Sequence, residues 1–176
     1  IVFASSLLVC KNGYIPDSDT DYCPPNLYGE SKVIGEKYVR SSEMECEWVI
    51  VRPTSIWGPW FEHSYKAFFQ TIDKNHYLHI GKNEFQKPAA YVGNSISIMV
   101  SLLFDLNPKI RKSTFYIADY PWYSTRVWAN TIQKTLNTNP IKTAPICLLR
   151  IIGYIGDIIK KVFRIEPQLT TFRLNN

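Results

Sequence analysis

The chain has 176 residues, of which 45% are hydrophobic, 14% aromatic and 20% charged, a balance that excludes a disordered, collagenous or low-complexity polypeptide and supplies a real core. Twenty Lys and Arg against fifteen Asp and Glu leave a formal charge of +5, but the basic residues are scattered singly or in pairs. No run of the kind that tracks a nucleic-acid backbone is present, and a small phosphorylated ligand suits the balance equally well. The cysteines at 10, 23, 46 and 147 form no CxxC pair and share no metal-ligand spacing with the histidines at 63, 76 and 79. They are expected as reduced thiols in a cytoplasmic protein with neither metal site nor disulfide framework, and the histidines as ordinary surface or core residues.

In chain order, residues 1–4 are a short apolar run that predicts a buried strand delivering Ser5 and Ser6 at its C-terminal end. No basic region, initiator Met or cleavage site accompanies this run, so the chain is expected to begin within a longer sequence rather than at a signal peptide. Residues 11–26 are polar and rich in Pro, Asp and Asn, which predicts a loop. Residues 28–41 lack Pro and interleave charges with Val33, Ile34, Tyr38 and Val39, which predicts a helix. Residues 48–51 are β-branched and aromatic and Pro53 closes them, as in a buried strand running into a loop. Strand, loop, helix, strand is the order of a parallel crossover unit in an α/β sheet.

The second half predicts a helix over 64–74, short strands at 77–80 and 89–92, an apolar helix capped by Asn94 and running through Leu106, a strand at 114–118 and a helix from a Ser124 cap to about Leu136. Residues 146–163 are strongly apolar, but Arg150, Asp157, Lys160 and Lys161 interrupt them short of the roughly 20 residues of a membrane span. Leu148, Ile151, Ile152, Ile155, Ile158, Ile159 and Val162 fall on one side at helical spacing, which predicts an amphipathic helix that covers a core or, alternatively, lies in a membrane interface.

Three features carry chemistry. Tyr28 and Lys32 stand four apart in the predicted helix and share one face. A phenol ordinarily ionises at about pH 10, and a neighbouring ammonium favours the phenolate, so such a pair suits general acid/base work. Ser5 and Ser6 lie at a strand end, where open α/β sheets place their ligands, and residues 52–60, Arg-Pro-Thr-Ser-Ile-Trp-Gly-Pro-Trp, follow the next strand at the same edge. Trp57 and Trp60 there could wall a pocket or simply pack.

Phe3-Ala4-Ser5-Ser6, then Tyr28-Gly29-Glu30-Ser31-Lys32 with Glu36, then Val51-Arg52-Pro53-Thr54 through Gly58-Pro59 resemble, in that order and spacing, the extended short-chain dehydrogenase/reductases. Within them the chain is most similar to the NAD-dependent epimerase/dehydratase family acting on nucleotide sugars. The resemblance implies that Tyr28 is the catalytic acid/base, Lys32 the holder of the nicotinamide ribose and Ser6 the catalytic hydroxyl. It also implies that Ser5 and Pro53 line the nicotinamide of NAD or NADP, and that Ser55 and Lys87 contact the substrate. Cys10, Ser55, Lys87 and Gly93-Asn94 stand where relatives usually carry Tyr, Asn, Arg and an acidic pair, which bears on the substrate and leaves the trio intact.

The eight glycines contain no triple at dinucleotide-loop spacing. The resemblance therefore implies a C-terminal fragment, inactive by itself: residues 1–60 from the Rossmann domain, 61–176 mainly from an interwoven, smaller α+β substrate region. A homodimer through the Tyr/Lys helix is the partner that relatives suggest, with no nucleic acid and no membrane span. Two alternatives stay open: a non-enzymatic sensor or scaffold of the same fold, and a reductase of an apolar sterol- or flavonoid-like substrate.

Overall fold

The computed structural model describes residues 1–61, 64–82, 84 and 86–146, so the amphipathic helix expected over 146–163 lies, beyond its first residue, outside them. The elements are β1 (Val2–Ala4), α1 (Leu27–Ser41), β2 (Val49–Pro53), β3 (Ser55–Trp57), α2 (Ser64–Asp73), β4 (His79–Ile80), β5 (Gln86–Lys87), β6 (Ala89–Tyr91), α3 (Val92–Phe104), β7 (Thr114–Ile117), β8 (Tyr123–Ser124), α4 (Thr125–Thr135) and β9 (Thr143–Ala144). They fall into two compact units, one of residues 1–61 and 87–123, the other of 62–86 and 124–176.

The first unit is built on a parallel sheet of order β1-β2-β7, with Phe3 beside Ile50 and Val51 beside Phe115. Side chains alternate between its faces, as the pleat requires. Val2, Val51, Phe115 and Ile117 pack with Ala90, Met99 and Leu102 of β6 and α3. Phe3 and Ile50 point the other way, to Val39 of α1 and to Trp48. Burying each such aliphatic side chain contributes about 1.5–3 kcal/mol, so helices on both faces are what a sheet of this composition needs. The same alternation sends Ser5, Arg52, Thr114 and Tyr116 to the α1 side; Ser5, Arg52 and Tyr116 make polar contacts towards the sheet's C-terminal end, and Thr114, at the start of β7, accepts from Arg40.

Beside this sheet, β3 and β6 form a short parallel pair in which Ser55 faces Ala89 and Trp57 faces Tyr91. The sequence reading had β3 as loop. It runs one residue on from β2, and its Trp57 ring lies 5.1 Å from Tyr91 and 6.4 Å from Tyr123. Trp57 is therefore a packing residue here, whereas Trp60 is 98% exposed. Asn94 is not the cap of α3, which starts two residues earlier at Val92. Its amide donates instead to Asp119, whose carboxylate also takes the Tyr91 N–H and the Tyr123 hydroxyl. Ser124 is the cap predicted, accepting from the Val127 N–H at 3.4 Å.

In the second unit, α2 packs on α4 through Phe68, Phe69, Ile72, Trp128, Ala129 and Ile132, and β4 pairs in parallel with β9. His79 is buried there and its Nε2 lies 2.9 Å from the Asn130 side-chain oxygen, as expected of a core histidine.

Helix α1 begins where Asn26 caps it, its Oδ1 accepting from the Gly29 N–H at 2.9 Å, and Glu30 in the first turn and Arg40 in the last suit the helix dipole. Gly29 is required by proximity: a Cβ there would sit 2.3 Å from the Leu8 carbonyl oxygen. Leu8 belongs to a single 3-10 turn, Leu7–Val9, that follows Ser6. Gly35, in the same helix, has open space around a Cβ. Gly29→Ala is expected to destabilise by about 1–3 kcal/mol, because backbone must move. Gly35→Ala should instead stabilise by about 0.5–1 kcal/mol, and urea unfolding of the two variants checks the contrast.

Candidate active site

The C-terminal ends of β1 and β2 and the first half of α1 meet around Ser5, Ser6, Tyr28 and Lys32. The sheet's backbone pairing continues past the strands, with Ser5 N–H donating to Val51 carbonyl at 2.8 Å and Thr54 N–H to Ile117 carbonyl at 3.0 Å. Ser6 is buried and caps the 3-10 turn, its Oγ accepting from the Leu8 N–H at 3.2 Å. Its hydroxyl proton has no acceptor among the described residues. Ser5 differs, since its hydroxyl donates to Glu36 Oε1 at 2.5 Å and is no free donor.

Lys32 Nζ donates to the Ala4 carbonyl at 3.2 Å and lies 5.7 Å from the centre of the Tyr28 ring. The ammonium therefore ties the Tyr28 face of α1 to the end of the serine strand. Tyr28 is 52% exposed, and its phenol makes no hydrogen bond among the described residues. Because Gly29 presses on the Ser6 turn, the start of the Tyr28 helix and the Ser6 hydroxyl belong to one packed corner. Pro53 closes β2 beside Ile117. Next to it, the buried Thr54 Oγ1 has no hydrogen-bond partner among the described residues. Ser55 is exposed on β3. Lys87 is exposed on β5, two residues before the register partner of Ser55. Those two therefore belong with the β3–β6 pair rather than with the β1–α1 corner.

Beneath this corner lies a pair that the sequence reading quoted within its motifs without assigning it a role. Glu36 is 2% exposed and Arg52 fully buried. Arg52 Nε donates to Glu36 Oε1 at 2.9 Å and Nη2 to Oε2 at 2.7 Å, a two-pronged grip that matches guanidinium to carboxylate. Ser5 and Tyr22 donate to the remaining acceptor positions of the carboxylate. Arg52 also donates to the Asp19 carbonyl at 2.6 Å and to the Tyr116 hydroxyl through Nη1 at 2.7 Å, with the rings of Tyr22 and Tyr116 about its guanidinium. Burial pushes the Glu36 carboxyl up, but the hydrogen bonds from Arg52 and Ser5 outweigh it and hold it below its ordinary value. Burial likewise opposes the Arg52 charge, and Glu36 more than restores it. The available signals were an arginine inside an otherwise apolar strand and the four-residue steps Tyr28, Lys32, Glu36 and Arg40 along one helix. Tyr22 and Tyr116 carried none. Among the described residues no cluster suited to a metal ion is present, and no helix is long and apolar enough to cross a membrane.

A parallel sheet packed by helices on both faces, with a strand-end hydroxyl and a Tyr-Lys pair on the crossover helix at its C-terminal edge, defines part of a Rossmann-like α/β fold. Solved structures agree in fold. UDP-glucuronic acid 4-epimerase from Bacillus cereus in complex with NAD matches with a TM-score of 0.66 at 17% identity, over 81% of this chain and 48% of the other. RMD from Pseudomonas aeruginosa, complexed with NADPH, matches with a TM-score of 0.62 at 16% identity, over 82% of this chain and 54% of the other. The chain belongs to the 3-beta hydroxysteroid dehydrogenase/isomerase family, which it matches over residues 9–148. A curated relative, N-acetyl-alpha-D-glucosaminyl-diphospho-ditrans,octacis-undecaprenol 4-epimerase of Escherichia coli O157:H7, is 27% identical over 168 residues, 92% of this chain and 50% of the relative. The likeness to epimerases and dehydratases read from the motifs thus stands, and the chain spans about half the length of the relative and structures it matches.

Arg52→Met leaves the Glu36 carboxylate buried without its partner and should cost about 3–5 kcal/mol. Combining it with Glu36→Gln should cost clearly less than the sum of the single changes, a coupling that a double-mutant cycle by denaturant unfolding measures. Because the Glu36 pKa is depressed in the fold, its contribution is complete above the unfolded carboxylate pKa of about 4.3 and is lost as pH falls through the lower folded value. Glu36→Gln should therefore flatten the acid limb of the stability–pH curve.

Proposed function

We propose that this chain supplies the acid/base edge of an NAD(P)-dependent enzyme that epimerises, dehydrates or reduces a nucleotide-activated sugar. The observation that carries the reading is Lys32, bonded to the Ala4 carbonyl beside the Tyr28 ring, in the corner where Ser6 keeps a donor and the Tyr28 phenol has no partner among the described residues. The epimerase name of the curated relative supports the reaction class, and a formal charge of +5 with Lys87 beside β6 suits a diphosphate.

The residues present fit NAD or NADP. Lys32 has further N–H donors and, among the described residues, neither the Tyr28 hydroxyl nor the buried Thr54 Oγ1 at the end of β2 has a hydrogen-bond partner. Lys32 and Tyr28 would hold the nicotinamide ribose, with Ser5 and Pro53 lining the ring. When bound, the cofactor supplies the hydride acceptor or donor. Tyr28 takes or returns the proton of the carbinol, and Ser6 donates to the same oxygen. Lys32 stabilises the negative charge that develops on the phenol as its proton moves.

In the full-length protein, Tyr28→Phe should lower turnover by about 10²–10⁴-fold while NAD affinity changes little, as steady-state kinetics and calorimetry would show. Full activity of that variant would reject the assignment. Residues 1–176 alone contain no Gly-rich turn at dinucleotide spacing and should show no submicromolar NAD binding. The matched family favours one second reading, reduction of an apolar, sterol-like carbinol. Competition of UDP or dTDP with substrate is expected on the first reading and absent on the second.

A further inference from the structure

Cys10 and Cys23 are partners in an isolated parallel β-bridge, with the Cys23 N–H donating to the Val9 carbonyl at 3.0 Å and the Lys11 N–H to the Cys23 carbonyl at 2.8 Å. Bridged residues of neighbouring strands present their side chains on one face, and strands lie about 4.8 Å apart, inside the Cα separation of roughly 4.4–6.8 Å that a disulfide spans. The Cys10 thiol donates to the Asp21 carbonyl at 3.5 Å, so it points across to the segment that carries Cys23. Cys10 is buried and Cys23 half-buried, and both are free thiols. The exposed Cys46 has no such partner among the described residues.

We propose that Cys10 and Cys23 form a redox modification site, a dithiol that a low-molecular-weight disulfide converts to an intramolecular disulfide. The thiolate of the more accessible Cys23 attacks one sulfur of the small disulfide, breaking its S–S bond and releasing one thiolate, which takes up a proton. The Cys10 thiolate then attacks the Cys23 sulfur, forming the protein S–S bond and expelling the second small thiolate, which is protonated in turn. Two protein thiols are oxidised and one small disulfide is reduced to two thiols. Cys10 ends the turn that Ser6 caps, so the bond closes residues 11–22 into a ring and ties the Ser6 turn to the segment leading into α1. The site does not depend on the proposed reaction.

The test is made on the full-length protein with oxidised glutathione as the probe. After oxidation, free thiols are blocked with N-ethylmaleimide and the protein is digested with trypsin, which cuts between the two cysteines at Lys11. Mass spectrometry is expected to find the peptide ending at Lys11 joined to residues 12–32, two hydrogens lighter than the sum of the two thiol peptides. Dithiothreitol should reverse the link, Cys46→Ser should leave it unchanged, and oxidation in denaturing urea should remove the preference for this pair. Alkylated Cys10 beside glutathionylated Cys23, or Cys46 linked as readily as Cys10 in the folded protein, would overturn the proposal. Mapping the wild-type protein needs no variant to fold, and its failure would leave the acid/base reading untouched.

Discussion

The buried ion pair between Glu36 and Arg52 is the constraint on which the rest of the first unit depends. A carboxylate and a guanidinium withdrawn from water are costly unless nearly every donor and acceptor is satisfied, and here the carboxylate receives hydrogen bonds from three residues while the guanidinium serves three acceptor groups. That demand draws α1, both strand ends, the 11–26 loop and Tyr116 of β7 to one point. Apolar packing of Val39, Trp48 and Ile50 holds the other end of the same interface, but hydrocarbon contacts tolerate sliding in a way that a two-pronged polar grip does not.

Charge and hydroxyl chemistry at the strand end follow from the pair. Adjacent residues on an extended backbone point in opposite directions, so Ser5 reaches Glu36 and Ser6 turns to cap the next segment. The two neighbouring hydroxyls therefore have different hydrogen-bonding capacity: one has its proton engaged by the carboxylate, the other holds an N–H with a lone pair and retains its proton. Residue type does not distinguish them; strand geometry does.

Local pattern made much of this fold legible. A short apolar run marked β1, β-branched and aromatic residues closed by Pro53 marked β2, the Pro-free charged stretch marked α1, and Ser124 marked the start of α4. Where tertiary contacts outvote local preference, the reading fell short. Residues 55–57 are extended because the β6 backbone lies beside them, and α3 starts at Val92 because Asn94 is engaged by Asp119 from a distant strand end. Tyr28, Lys32 and the two serines could be picked out by spacing and by resemblance. Glu36 and Arg52 were in view as letters of the same motifs, but recognising them as one buried unit requires knowing that α1 lies across β2, and the convergence of Tyr22 and Tyr116 depends on chain segments far apart in sequence.

One feature of α1 reaches beyond stability. Steps of four residues overshoot a helical turn by about 40°, so Tyr28, Lys32, Glu36 and Arg40 wind gradually around the cylinder instead of lying in a straight row. With Glu36 anchored underneath, that winding lifts the phenol outward two turns away, which accounts for one residue being sealed and the other half open to solvent. The helix thus acts as a crankshaft: any twist about its axis carries the backbone of Tyr28 and that of the Glu36 anchor through the same angle.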